Sequence, residues 1–417
     1  WGDLLRVNLS KLQPAGVQAM HRWLVDAMAG NMPHDQFARA LLTASGDTFV
    51  NAPANYFRAA SSRNDALETT TQLFLGARLA CAKCHNHPFD RWTQDHYYGM
   101  GAFFHRVQRT GVDKKKGGKG ELLVSISNEG EVTHPRTGQT MLPWLPGRGE
   151  VEVPLGADRR EVFADWLTRP DNPWFARTAA NRIWAYVMGR GIVEPVDDFR
   201  LTNPPTDQQL LDALADDLVK NRFALRHLMR TILTSNTYQL SAVPTAGNRL
   251  DTMFYSRYYP RRMTAEQILD AICQVSGIAE EFPGQPAGTR AQQLPDTKVA
   301  SAFLDAFGRP LRRSASCECE RIQDPNLGQA LELLNGNELH ERVVSDAGLV
   351  NRLIQQQLDD RTMLETLYLS ALNRLPGTRE VAAVLAGVPE NDAALRRQYF
   401  EDLLWALFNG KEFLFNH

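Results

Sequence analysis

Cysteine is scarce in this sequence, five among 417 residues, and the count is odd. A scaffold stapled throughout by disulfides is excluded, because such folds are cysteine-dense and pair their thiols. Long apolar runs are also missing: nothing approaches the roughly 18–20 consecutive apolar residues of a membrane-spanning helix, so no span is expected. Neither sign of charge dominates, since 46 Lys and Arg face 48 Asp and Glu for a formal net charge of -2. Without a basic field, neither nucleic acid nor an anionic membrane surface is an expected partner. The chain lacks a nucleophile elbow, a P-loop, a dinucleotide glycine fingerprint and a zinc-protease helix, which leaves hydrolase readings without a site. The opening residues Trp1 to Arg6 have neither an initiator Met nor the character of a signal peptide, so any export signal is expected upstream of Trp1.

What the sequence does contain is hydrophobic residue, 43%, enough to bury one large core or two to three smaller ones. The pattern predicts a mainly α fold of many helices with a small β insertion near 120–155. Residues 1–110 show helical periodicity, broken at Pro14, Gly30-Asn31 and the polar run Ala60 to Asn64. Asp65 is the expected N-cap of a helix, with Glu68 three residues on, that carries Leu67, Phe74 and Leu75 directly into Cys81. Segment 111–156 differs: a lysine and glycine run from Lys114 to Gly120 reads as a solvated loop tip. Leu122-Val124-Ile126 and Val151-Val153-Leu155 alternate as strands do. From 157 to 417 helices return, with caps expected at Thr206 (with Gln209), Thr264 (with Gln267) and Asp324-Pro325, and helix ends at Gly277 and Gly336. Their leucines, including Leu210, Leu211, Leu214 and Leu218, and Leu327, Leu331 and Leu334, are expected in the core.

The chemistry concentrates at Cys81-Ala82-Lys83-Cys84-His85. Two thiols on one turn can reach the two vinyl groups of haem as thioethers, while the adjacent imidazole binds the iron from below. One covalent haem c, with His85 as proximal ligand, is the leading expectation. Covalent attachment takes place outside the cytoplasm in bacteria, which predicts a periplasmic or extracellular location. His96, Met100 and His105 are the candidates for the distal ligand, and His87 and Asp90 for holding the His85 ring or a haem propionate. Two other readings stay open. Cys81, Cys84, His85 and His87 offer four ligands for zinc or non-haem iron, although four so close together rarely wrap a tetrahedron. Alternatively, Cys81 and Cys84 form a disulfide in a structural cell-surface protein.

A second pair, Cys317 and Cys319, sits in Cys317-Glu318-Cys319-Glu320-Arg321. Thiols one residue apart are awkward to bridge, so they face a metal, another cysteine or nothing. Arg321, with Arg309, Arg312 and Arg313, suits either an anion clamp or a salt-bridge network.

The run Cys81 to Asp90, with Tyr97-Tyr98 and Ala102-Phe103-Phe104, resembles the planctomycete-specific cytochrome-like domain of unknown function. Asn181-Arg182-Ile183-Trp184, Gly189 to Val193, Asp198-Phe199, Ser235 to Tyr238, Arg261 to Glu266 and Cys317 to Arg321 resemble its usual partner domain. The resemblance spans nearly the whole chain and implies an exported bacterial protein, without supplying an activity. The functional expectation is therefore an exported haem protein for electron transfer, or the electron-transfer subunit of a redox enzyme, with a redox protein as partner. A metal-centred enzyme using the Cys81 to His87 cluster and perhaps Cys317 or Cys319 is the alternative.

Overall fold

A computed structural model of the chain describes residues 1–111, 120–154, 156–310, 321 and 326–416. These residues are mainly helical, and their β structure consists of one three-stranded and three two-stranded antiparallel sheets. They pack as two units, 1–259 and from 260 onward, each around its own hydrophobic core.

The first unit opens with α1 (Leu9–Ala29), capped by the Asn8 side chain. Pro14 does not open a loop: the helix kinks at Gln13, whose φ is 61°, because the proline ring bars a regular helical turn before it. Then come α2 (His34–Leu42), α3 (Asn55–Ala59) and α4 (Arg63–Leu75). The cap of α4 is Ser62, whose hydroxyl accepts from Asp65 N at 3.0 Å, and not Asp65 as periodicity suggested. Asp65 is committed elsewhere: its carboxylate takes the buried Arg6 guanidinium at 2.9 and 3.0 Å. Nor does α4 run into Cys81. It stops at Leu75 because Gly76 turns left-handed, φ 63°, and bonds back to Thr71 O.

After α5 (Gln94–Gly101) the chain forms its β structure. Strands β1 (Gly46–Asp47), β2 (Val107–Gly111) and β3 (Leu122–Ile126) make one sheet in the order β1-β3-β2, with Val124 opposite Arg109 and Gly46. Two small ladders follow, β4 (Val132–Thr133) with β5 (Thr140–Met141) and β6 (Trp144–Leu145) with β7 (Gly149–Glu150). The alternation at Val151 and Val153 is not a strand; both side chains lean on the core and Val151 N bonds Pro143 O at 2.7 Å. Leu155 and the residues 112–119 of the lysine run lie outside the described residues.

Helices α6 (Arg159–Leu167), α7 (Phe175–Met188), α8 (Gln208–Lys220) and α9 (Leu225–Leu233) share one core with α1, α2, α4 and α5. The cap of α8 falls one residue after Thr206, on Asp207, because the Thr206 hydroxyl donates instead to Ile192 O at 3.1 Å.

In the second unit, α10 (Ala265–Ser276) carries the expected Thr264 and Gln267 capping box and ends at Gly277, φ 77°. It is followed by α11 (Ala302–Ala306), α12 (Leu327–Asn335), α13 (Asn337–Val344), α14 (Leu349–Gln355), α15 (Asp360–Leu372), α16 (Thr378–Leu385), α17 (Ala393–Phe408) and α18 (Lys411–Leu414). A short ladder of β8 (Arg261–Arg262) with β9 (Phe415–Asn416) ties the start of this unit to its end. Asn326 caps α12; the expected cap at Asp324-Pro325 lies outside the described residues. Leu364, Leu367, Leu404 and Phe408 form the core as their spacing implied, but Leu327, Leu331 and Leu334 are exposed. The face that α12 buries carries Gln329 and Leu333 instead. No described helix is long and apolar enough to cross a membrane.

Candidate functional site

The Cys81 turn is held by what precedes it. At Gly76 the chain presses so close to Phe199 that a Cβ would lie 2.4 Å from its ring, and Gly76 O accepts from Phe199 N at 2.9 Å. Two residues on, Arg78 Nε reaches the buried Asp197 carboxylate at 2.9 Å, which also accepts from Gln72 at 2.6 Å. Leu79 and Ala82 then sink into the core, so residues 80–83 wind as a 3-10 turn with one face down. That leaves Cys81, Cys84 and His85 exposed, and both cysteines are free thiols.

Helix α5 clasps the turn from the other side. Lys83 O accepts from Gln94 Nε2 at 3.0 Å and from Tyr98 OH at 3.1 Å, while Asn86 Oδ1 accepts from Gln94 N at 3.1 Å. The last of these satisfies an amide at the helix start that has no partner within the helix. Tyr97, fully buried beneath, donates to Glu68 at 2.6 Å. Burial, then Glu68, hold its phenol far above the ordinary tyrosine range. Burial and the nearby Cys84 also raise Tyr98.

Hydrogen bonds decide which imidazole is available. His85 Nδ1 lies 2.8 Å from Asn86 O, and since a carbonyl can only accept, Nδ1 carries a proton, which in the neutral ring leaves the lone pair on Nε2. The other histidines of this region are arranged the opposite way or are occupied. His87 Nδ1 accepts from Phe89 N at 3.2 Å, which puts the proton of the neutral ring on Nε2. His96 Nδ1 accepts from Thr93 N at 3.3 Å in the capping box of α5, and its ring stacks on Trp144 with centroids 4.0 Å apart. Burial lowers its pKa, against the pull of Asp95. His105 Nε2 is 3.1 Å from Asn64 Oδ1, and burial followed by Arg63 lowers its pKa as well. Met100 lies wholly in the core. Asp90 accepts from the adjacent Arg91 N at 2.8 Å. The His85 ring is thus held by Asn86, and not by His87 or Asp90.

Beside Cys84 and His85 opens a cavity of about 350 Å³, lined also by Asn86, Gln94, Pro135 and Arg136. The last two arrive on the β4–β5 hairpin, whose His134 is buried and lies 3.3 Å from Asp95. Spacing within the sequence pointed to none of Asn86, Gln94, His134 or Arg136. Gly99 was the available signal for the neighbouring contact, because a Cβ there would lie 2.6 Å from that of Trp144.

In the second unit Arg321 forms a two-pronged pair with Glu266 at 2.7 and 3.2 Å, and Arg309 pairs with Asp305 at 2.7 Å. Cys317, Cys319, Arg312 and Arg313 lie outside the described residues. Among the described residues no three His, Cys, Asp or Glu side chains group as ligands for a metal ion.

No curated protein and no solved structure matches the chain. Residues 1–109, which contain the Cys81 turn and α5, match the family model PSCyt2, described as a protein of unknown function (DUF1549). Residues 159–388 match PSD1, likewise described as a protein of unknown function (DUF1553). That second match covers more than half of the chain, which therefore belongs to the PSD1 family and carries a PSCyt2 region before it.

Proposed function

We propose that this protein is an exported c-type haem protein that transfers electrons, alone or as the electron-transfer part of a redox enzyme. The observation that carries the reading is the state of His85: its Nδ1 proton is given to Asn86 O, so Nε2 is free to bind iron on the same exposed turn as two free thiols. The donor chemistry of the turn therefore fits a covalent haem. Cys81 and Cys84 would add across the two vinyl groups, sulfur to one carbon and hydrogen to the other, with no net oxidation. Haem held there would supply a one-electron iron couple. Gln94, Tyr98 and Asn86 keep the anchor turn and the His85 ring in one orientation. A bare metal centre has less support, since the local imidazoles other than His85 have their Nδ1 lone pair or Nε2 hydrogen engaged. To help hold the group, His96, Met100 or His105 would have to give up a cap, a core position or the bond to Asn64.

The test is the visible spectrum and the intact mass of protein exported by a bacterium equipped for haem attachment. A Soret band, a pyridine haemochrome of the thioether type and a mass increase of one haem that survives denaturation are expected, all lost in a Cys81→Ala, Cys84→Ala double variant. Exported wild-type protein without Soret band or added mass would sink the reading. Metal analysis and thiol counting would then distinguish a bare ion from a Cys81 to Cys84 disulfide.

A further inference from the structure

Among the described residues, four cations meet one carboxylate around the first turn of α4. Arg6, Lys11, Arg63 and Arg109 come together there from the chain before α1, from α1, from α4 and from β2, and the carboxylate among them is that of Asp65. It is committed to the buried Arg6 guanidinium at 2.9 and 3.0 Å. Lys11, Arg63 and Arg109 form no ion pair with any described residue and are held by main-chain carbonyls instead. Lys11 Nζ donates to Ala59 O at 2.9 Å and Arg63 Nε to Val107 O at 3.0 Å. Arg109 donates to Phe57 O at 3.2 Å, to Ser61 O at 3.3 Å and to Ala60 O. A carbonyl fixes where a cation sits without cancelling its charge.

The protonation of these groups registers the imbalance. Burial, then Arg6, holds the Lys11 ammonium below the ordinary lysine range, and burial, then Arg63, lowers Arg109. Arg58, which donates to Lys11 O at 3.0 Å, is a different case, because Asp47 and Glu121 act on it. Three cations are thus pinned along the stretch from Phe57 to Arg63 with their charge uncompensated, in a chain whose net charge is only -2. Lys11 and Arg63 are half-buried and Arg109 is exposed, as are Ser61 and Ser62 beside them, so the face is open to solvent.

The donor set selects the kind of anion. Arg63 keeps its two terminal nitrogens and Lys11 two of its three hydrogens after the carbonyls are served. Donors that arrive from three chain segments suit a tetrahedral oxyanion, with acceptors in four directions, better than a flat carboxylate that one guanidinium fork saturates. We infer that the Lys11, Arg63 and Arg109 face binds a phosphate or sulfate group, as the free ion or as an ester. None of the three residues belongs to the Cys81 turn, and the inference is independent of the haem reading.

Equilibrium dialysis of the full chain against radiolabelled phosphate and sulfate, in chloride buffer of constant ionic strength, tests it. Saturable binding of at least one ion is expected, weakened about 10-fold in Arg63→Gln and again in Arg109→Gln, each losing one charge-assisted donor. Arg169→Gln removes a cation that Asp171 already pairs, and should bind as the wild type does. Competition by glycerol 1-phosphate separates the sources: displacement at lower concentration than unlabelled phosphate assigns the site to an ester, and the reverse order to the free ion. No saturable binding by the wild type, wild-type affinity in the Arg63→Gln, Arg109→Gln double variant, or an equal loss in Arg169→Gln would overturn the inference. Lys11→Gln, which gives up a single bond to Ala59 O, carries the same comparison should the double variant not fold.

Discussion

Replacing Gly76 by alanine tests whether the Cys81 turn is positioned by its contact with Phe199. Two costs combine there. At φ 63° an L side chain is strained by about 1–2 kcal/mol. The new Cβ would also lie 2.4 Å from Phe199 Cδ2, 2.9 Å from its Cε2 and 3.0 Å from Thr178 Oγ1, an overpacking against the half-buried Phe199 and the buried Thr178 that costs about 1–3 kcal/mol. Gly147 is the control: its φ of 74° is similar, but nothing lies within 4 Å of the site of its Cβ. Gly147→Ala should therefore show the backbone term alone, and Gly76→Ala should exceed it by about 1–3 kcal/mol. Urea unfolding followed by near-UV circular dichroism measures the difference, compared at equal slope. Limited proteolysis at Arg78 and Lys83 should also accelerate in Gly76→Ala only, since the Gly76 to Phe199 bond and the Arg78 to Asp197 pair open together. Equal stability of the two variants would refute the argument that packing against Phe199, rather than the glycine turn itself, locks this segment.

His34 supplies a pH-dependent prediction. Its ring lies buried among Trp1, Phe37, Phe74 and Phe175, and burial, with Arg182 adding, pushes its pKa down to about 3 from 6.5. Below the unfolded value the unfolded chain binds a proton that the folded chain refuses, so stability falls as pH drops from about 6.5 toward 3. Between pH 7 and about 4.5 this one group removes about 2.5 kcal/mol, and His34→Phe should flatten the urea midpoint across that interval by this amount; an unchanged slope would contradict it. Arg6 is buried against Asp65 and Thr69, so Arg6→Ala should cost about 3 kcal/mol at neutral pH. Burial alone would raise the Asp65 carboxyl, but Arg6 and the Ser61 hydrogen bonds outweigh it and hold it below 3.8, so this contribution is present above that value and fades as pH falls through the lower folded value. A wild-type-like melting temperature for Arg6→Ala would show that the pair contributes nothing. Tyr97→Phe deprives the Glu68 carboxylate of a 2.6 Å donor and should cost about 1.5–3 kcal/mol in urea; an unchanged urea midpoint would refute it.

Local chemistry by itself determined a good deal about this protein. The 3.6-residue spacing of apolar residues marked the helices, the Thr264 box and the left-handed glycine after α10 marked ends, and the Cys81, Cys84, His85 spacing marked the turn, because each depends on a few neighbouring residues. Tertiary structure decided the rest. Periodicity cannot say that the chain at Gly76 presses against a phenylalanine 123 positions later. Nor can it say that Leu327, Leu331 and Leu334 face outward, or that α6 to α9 join the core of the first helices. Above all, spacing singled out His85 but could not say which ring nitrogens of His85, His87, His96 and His105 are left available. That distinction lies in which ring nitrogen meets a carbonyl and which meets an amide, and only the folded backbone brings those partners within hydrogen-bonding distance.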